Sequence, residues 1–202
     1  MLKRRAIAIA SFVLLAAAFV PWSALADNWR LDPDHTDIHF SWDHLGLSRQ
    51  SGTITDVSGR LSFTPTDPAA AKVEFAAQVA SLSTGVAALD EVLRSRDYFD
   101  ARSHPRITFE STEVTPVGER QGVIRGQLTI RGIAHEVVLN TTWNYTGEHP
   151  LAPYNPVYRG QWVSGFTATS TINRSRWGLT LAAPLVSDEI QLVINAEFIR
   201  ID

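Results

Sequence analysis

Residues 82–109 read LSTGVAALDEVLRSRDYFDARSHPRITF, and here the period-two alternation that runs through the rest of the chain gives way to a helical pattern. Thr84 and Gly85 break a strand. Val86, Leu89 and Val92 or Leu93 then fall three to four residues apart on one stripe of about two to three turns. Asp90 and Glu91 stand toward its start and Arg94 and Arg96 at its end, the polarity a helix dipole favours. Tyr98 and Phe99 follow, and then His104-Pro105, where the residue before proline is driven to an extended conformation and a strand with Ile107 and Phe109 begins. A short helix near residues 86–96 in an otherwise β chain needs something to cover. The segment is therefore read as a lid on one mouth of a β-barrel with an apolar interior.

Working outward, the flanks alternate as half-buried strands do. Ile38, Phe40 and Trp42 alternate with Asp37, His39, Ser41 and Asp43. Val57, Gly59, Leu61 and Phe63 share one side, as do Val73, Phe75, Ala77 and Val79. Beyond the helix come Ile107 to Val114, then Ile124 to Ile130, then a strand with His135, Val137, Leu139, Thr141, Trp143 and Tyr145 on one side. Gly132 marks a tight hairpin between the last two. Asp32-Pro33-Asp34 and Thr64 to Pro68 read as turns, and Gly147 to Tyr158, with Pro150, Pro153 and Pro156, reads as loop. Strands over Trp162–Ile172 and Glu189–Arg200 complete about eight, with no βαβ repeat. An antiparallel sheet of that size curls into a barrel or splits into a sandwich. Ala77, Gly126, Gly165, Ala168 and Ala196 are assigned to the inner face. Such small residues either leave room for one small ligand or mark bulges and bends.

At the start, Lys3-Arg4-Arg5, an uncharged run over residues 6–20 and Ala24-Leu25-Ala26 form the three regions of a secretory signal peptide. Residues 1–26 are expected to be removed and residues 27–202 to form one exported domain in the periplasm. That remainder carries 15 basic against 21 acidic side chains, a formal −6, which gives no general attraction for nucleic acid. The chain has no cysteine. Thiolate chemistry and cysteine-ligated metals are excluded, and stability must come from the core.

The histidines do not form a metal pattern, because His35 and His39 share one strand parity and His44 has the other. No G-x-S-x-G elbow is present. Asp97 and Asp100, which flank Tyr98-Phe99, suit backbone capping better than acid-base work. No catalytic residue, metal or cofactor is assigned.

Asp34-His35-Thr36 with Ile38-His39-Phe40, His44-Leu45-Gly46, Asp97-Tyr98-Phe99-Asp100, His104 to Phe109, Gly126 to Gly132 and Asn173-Arg174-Ser175-Arg176-Trp177-Gly178 occur in an order and spacing that resembles the YceI-like family. The chain departs from that pattern at Arg176, where an acidic residue is usual, and at Tyr98 and Trp177, where phenylalanine is commoner. The resemblance implies a lipocalin-like antiparallel barrel of eight strands with an apolar channel for an isoprenoid lipid, of the quinone or polyprenyl phosphate type. The residues lead to the barrel and leave room inside it as one of two readings of its small inward residues; the lipid comes only from the resemblance. Ile38, Phe40, Trp42, Phe75, Phe109, Leu128, Trp143, Phe166 and Leu192 are the candidate lining, with Leu89, Leu93 and Phe99 from the lid. Arg174 is the candidate contact to an anionic head group. The rival readings are an exported enzyme or stress-response factor acting on a small substrate, and a structural partner of a membrane redox protein. The chain is expected as a monomer or homodimer.

Overall fold

A computed structural model describes residues 27–201; the expected signal segment lies outside the described residues. The strands are β1 (Asp27–Leu31), β2 (Asp37–His44), β3 (Ser48–Ile54), β4 (Val57–Phe63), β5 (Lys72–Gln78), β6 (Leu82–Ser83), β7 (Arg106–Pro116), β8 (Gln121–Ile130), β9 (Ile133–Glu148), β10 (Trp162–Asn173) and β11 (Val186–Arg200), with helix α1 (Ala87–Arg94) between β6 and β7. Strands β1, β4, β5, β7, β8, β9, β10 and β11 form a ring of antiparallel neighbours that closes through the β1–β11 pair. This is the antiparallel barrel of about eight strands expected from the sequence, and the described residues do not form the sandwich that alternation alone left open.

The three extra strands continue passes already begun. β11 pairs with β1 through Phe198 to Arg200 and with β2 through Ile190 to Asn195, so β1 and β2 are one pass with a break. β3 and β4, and β5 and β6, are broken in the same way. Leu31 lies opposite Phe198 and Asp37 opposite Asn195, so six steps along one chain match three along the other. The surplus is taken up by the one-turn helix Pro33–His35, with proline at a helix start where its missing N–H costs nothing. Asp32-Pro33-Asp34 is thus a kink within a pass and does not reverse the chain. Asp32 N–H donates to Glu197 O at 2.8 Å, and the Thr36 hydroxyl accepts from Glu197 N–H at 3.1 Å. The break between β3 and β4 is closed by Ser81, whose Oγ accepts from Thr55 N–H at 3.3 Å and Asp56 N–H at 2.9 Å.

By contrast β7 to β11 run unbroken; short turns join β7 to β8 and β8 to β9, and the longer segments 149–161 and 174–185 join β9 to β10 and β10 to β11. Arg131 and Gly132, at φ of 53° and 73°, form the two-residue loop between β8 and β9. Two successive left-handed residues match the twist of a hairpin. Two details differ from the sequence reading. β9 runs on through Gly147 and Glu148, which the proline count had placed in loop. A bulge in the β9–β10 ladder sets Trp143 opposite Phe166 and Tyr145 opposite Gly165, so Tyr145 and Gly165 leave the inner face. Tyr145 is exposed, and a side chain at Gly165 would meet nothing within 4 Å.

Trp29, Leu31, Val57, Val79, Leu82 and Trp177 are almost wholly buried and belong to one continuous apolar cluster with the barrel wall. Trp29 Nε1 donates to Phe63 O at 2.9 Å and Trp177 Nε1 to Leu128 O at 3.1 Å, so neither indole buries an unpaired donor.

Candidate functional site

Alternation puts every second side chain of the long strands inside the ring, and the inside is not filled. A cavity of about 610 Å³ runs through the barrel, within the range of small-molecule sites. At one end its wall includes Leu89 and Leu93 of α1, Tyr98, His44, Gln50, Arg174, Leu179 and Val186. At the other it reaches Pro68, Lys72, Pro116 and the β7–β8 turn from Gly118 to Gln121. Between them the wall is almost entirely aliphatic and aromatic.

All thirteen candidate residues line this one cavity: Ile38, Phe40, Trp42, Phe75, Leu89, Leu93, Phe99, Phe109, Leu128, Trp143, Phe166, Arg174 and Leu192. Two aromatic groups shape it. Phe40 and Trp42 stack at 5.8 Å near the α1 end. Phe63 meets Trp143 at 5.3 Å and Phe166 at 5.4 Å, both edge to face, toward the far end. Trp143 Nε1 donates to Thr146 Oγ1 at 2.7 Å, which leaves the ring as apolar wall. Phe63, Ile124, Leu139, Ile194 and Phe198 also line the cavity and were not singled out from the sequence. Their strand parity, shared with Leu61, Leu128, Trp143 and Leu192, was the signal available.

Gly126 and Ala196, both inward, differ in kind. Ala196 faces the cavity, whereas a Cβ on Gly126 would stand 2.4 Å from Cζ of Phe109 and 2.5 Å from Glu110 O. The glycine is the seat of the Phe109 ring, so no free volume lies over it. Gly52 seats Phe40 in the same way, with Cζ at 2.4 Å.

The helix covers its end through a narrower stripe than the sequence suggests. Leu89 and Leu93, one turn apart, are half-buried against the cavity, while Val86 and Val92 are exposed. Asp90 anchors the helix. Its Oδ1 accepts from the Thr84 hydroxyl and from Thr84 N–H, each at 2.7 Å, and Arg94 stands 3.7 Å from Oδ2. The two Thr84 bonds, ahead of weaker contributions from Ser83 and Arg94, hold the Asp90 carboxyl below its ordinary pKa. After the helix the chain turns through backbone bonds, Asp100 N–H to Ser95 O at 2.8 Å and His104 N–H to Asp100 O at 2.8 Å. The capping expected of the Asp97 and Asp100 side chains is not what closes this turn.

Arg174 is buried, and its guanidinium is committed to backbone. Nε donates to Ser187 O at 2.9 Å, Nη2 to Val186 O at 2.9 Å, and Nη1 to Leu179 O and Leu181 O. Among the described residues no carboxylate pairs with it. It staples the loop after β10 in place, and four of its five N–H groups are unavailable to a head group. Arg176 does not line the cavity; it donates to Glu136 O at 3.2 Å and lies over the Trp177 ring. The one buried side-chain oxygen in the cavity wall without a partner, among the described residues, is Thr141 Oγ1.

The histidines are dispersed. His35 pairs with Asp32 at 2.9 Å, His39 with Asp37 at 3.1 Å and His135 with Arg176 O at 2.8 Å, and His149 stacks on Tyr158. The Asp32 contact raises the pKa of His35. Among the described residues no three metal-binding side chains come together.

Over residues 29–198 the chain matches the profile of a family described as YceI-like domain. It is 34% identical over 202 residues to a UPF0312 protein of Photorhabdus laumondii, with 99% of each chain covered. It is 31% identical over 190 residues to one of Ectopseudomonas mendocina, covering 93% of this chain and 95% of that one. Among solved structures, the Campylobacter jejuni YCEI protein superposes with a TM-score of 0.66 at 25% identity, over 79% of this chain and 90% of that one. Burkholderia cenocepacia BcnA gives 0.72 at 22% identity, covering 83% and 98%. A polyisoprenoid binding domain from Saccharophagus degradans gives 0.59 at 14%, covering 88% and 100%. These last two bear on the fold alone.

Proposed function

Because the chain belongs to the YceI-like family, we propose that it binds an isoprenoid lipid in the barrel cavity and carries or sequesters it in the periplasm, as a binding protein and not as an enzyme. The observation that carries the reading is the apolar cavity of about 610 Å³ that reaches both ends of the barrel. A methyl-branched hydrocarbon chain needs little beyond such a tube, since each CH₂ taken out of water contributes about 0.8 kcal/mol. The polyisoprenoid binding named for the Saccharophagus degradans neighbour agrees with that chemistry.

Polar side chains of the wall gather at its two ends, His44, Gln50 and Arg174 at one and Lys72, Glu119 and Arg120 at the other. An acid and base poised together over the middle of a substrate is the arrangement an enzyme reading calls for. For the head group, the commitment of Arg174 to carbonyls favours a neutral quinone-type ring inside the barrel. Lys72 and Arg120, both exposed at the far end, are where a phosphate would find cations. A quinone cargo would make a membrane redox protein the natural partner.

Mass spectrometry of an organic extract from the purified protein tests the proposal. An isoprenoid lipid near one equivalent per chain is expected. An extract with no lipid, or with only fatty acid or phospholipid, would overturn it.

A further inference from the structure

We propose that the α1 end of the barrel docks on a lipid bilayer by inserting an uncharged apolar rim, formed by residues 179–186 (LTLAAPLV) and 44–47 (HLGL). The inference rests on the reading of the cavity as a lipid site. The two segments are neighbours, joined by the bond from Leu45 N–H to Leu185 O at 3.1 Å. Leu47 is 80% and Leu185 69% exposed, and Leu45 and Leu181 are about half exposed. Single exposed leucines are ordinary, but four on two adjoining segments without a charge make a patch that calls for an occupant.

The backbone of the rim points to which occupant. A loop that stays in water leaves its carbonyls to the solvent, whereas one that enters a bilayer must satisfy them internally. Here Thr180 O accepts from Ala183 N–H at 3.1 Å and Ala182 O from Val186 N–H at 2.9 Å, and Leu185 O is taken by Leu45. The carbonyls of Leu179, Leu181 and Val186 are taken by Arg174, and Leu181 O also accepts from the Tyr98 hydroxyl. A buried guanidinium thus draws the polar atoms of the loop inward, while Leu181 and Leu185 stay exposed. The nearest charged side chains on these strands are also engaged, Asp43 with Gly46 N–H and Asp188 with Ser175.

Continuity with the cavity selects a bilayer over a protein partner. His44, Leu179 and Val186 belong to both the rim and the cavity wall, so a lipid leaving the membrane there passes from hydrocarbon to hydrocarbon. The exposed Leu151, Tyr154 and Val157 at the opposite end sit in a loop that contributes nothing to the cavity wall. With a formal −6 over residues 27–202, attachment comes from apolar insertion and not from attraction to anionic lipid.

Flotation of the purified protein with phosphatidylcholine vesicles, at low and at high salt, tests the docking. The protein is expected to float with them equally at both. Leu47→Ser with Leu185→Ser should reduce flotation about tenfold or more, and Tyr154→Ser with Val157→Ser should leave it unchanged. Because the chain has no cysteine, a polarity-sensitive dye on Leu47→Cys gives a second readout even if the double variant folds poorly. It should shift to the blue on vesicles, while the same dye on Tyr154→Cys should not. No flotation, flotation abolished by salt or dependent on added membrane protein, or equal responses of the two dyes would each overturn the docking. Lipid content of the same samples is read separately. Flotation without bound lipid would sink the carrier reading and leave the docking surface standing.

Discussion

The wall made by β7 to β11 and the wall made by β1 to β6 surround the same cavity and share its chemistry, yet they are built on different terms. In the first, long strands run unbroken, with short turns from β7 to β9 and longer loops after β9 and β10. In the second, each of three passes is broken, at residues 32–36, 55–56 and 79–81, and the lid helix hangs from the last of them. Both walls seat a large ring on a glycine, Phe109 on Gly126 and Phe40 on Gly52. The same device therefore sits once in a rigid frame and once in a frame that can give. If the continuous wall holds the fold and the interrupted one lets cargo pass, the same insult should act differently on the two.

The largest effect should come from the two seats. Gly126→Ala is expected to lower unfolding free energy by about 3 kcal/mol in chemical denaturation, because the added methyl meets the ring and Glu110 O, and that carbonyl belongs to the long strand β7. Gly52→Ala should cost about 1 kcal/mol, because its backbone obstacle, Ser83 O at 2.8 Å, belongs to the two-residue β6 and can move. Loss of bound lipid should accompany the second change more than the first. Equal losses of stability would break the comparison.

Next in size is the lid. Leu89→Ala with Leu93→Ala should speed release of a fluorescent isoprenoid analogue roughly tenfold while costing about 1–2 kcal/mol of stability, since both leucines are half-buried and touch the cavity. Hydrogen exchange measured beside release decides the matter. Release only at the rate of global unfolding would remove the helix as a gate.

The smallest effect is acid dependence. The pKa of Asp90 is lower folded than unfolded. Its bonds to Thr84 therefore contribute fully above the ordinary aspartate value of about 3.9, and that contribution is lost as the pH falls through the lower folded value. Amides of α1 should exchange faster in that acid window before the continuous wall loosens, and Asp90→Asn should flatten the dependence. Identical profiles for the two proteins would show that the helix is anchored by something else.

The continuous wall was the more legible of the two. Alternation in β7, β8 and β11 places Phe109, Leu128 and Leu192 inside without knowledge of their neighbours, and Arg131-Gly132 announces its own turn. Where the alternation slips, the sequence is silent. The bulge that turns Tyr145 and Gly165 outward depends on pairing with β10, and the kink at Asp32 to Thr36 reads like a reversal until Glu197 is seen bridging it. Arg174 was legible as a cation near the mouth but not as a staple, because the carbonyls it holds carry no trace in side-chain identity. Gly126 was legible as small and inward. That its space belongs to Phe109 is a fact of tertiary packing.

A cavity that reaches both ends of a barrel, with a helix over one and the exposed Lys72, Glu119 and Arg120 at the other, is a sleeve under a lid and not a cup. A cup rejects any guest longer than its depth, so preference among homologous chains peaks at one length. A sleeve has no floor: affinity climbs with each added unit until the sleeve is full and then levels, because further units stay in water whether the guest is bound or free. The longest homologues are then held no more tightly than those that just fill it, and selection among them falls to whatever presents them at the entrance.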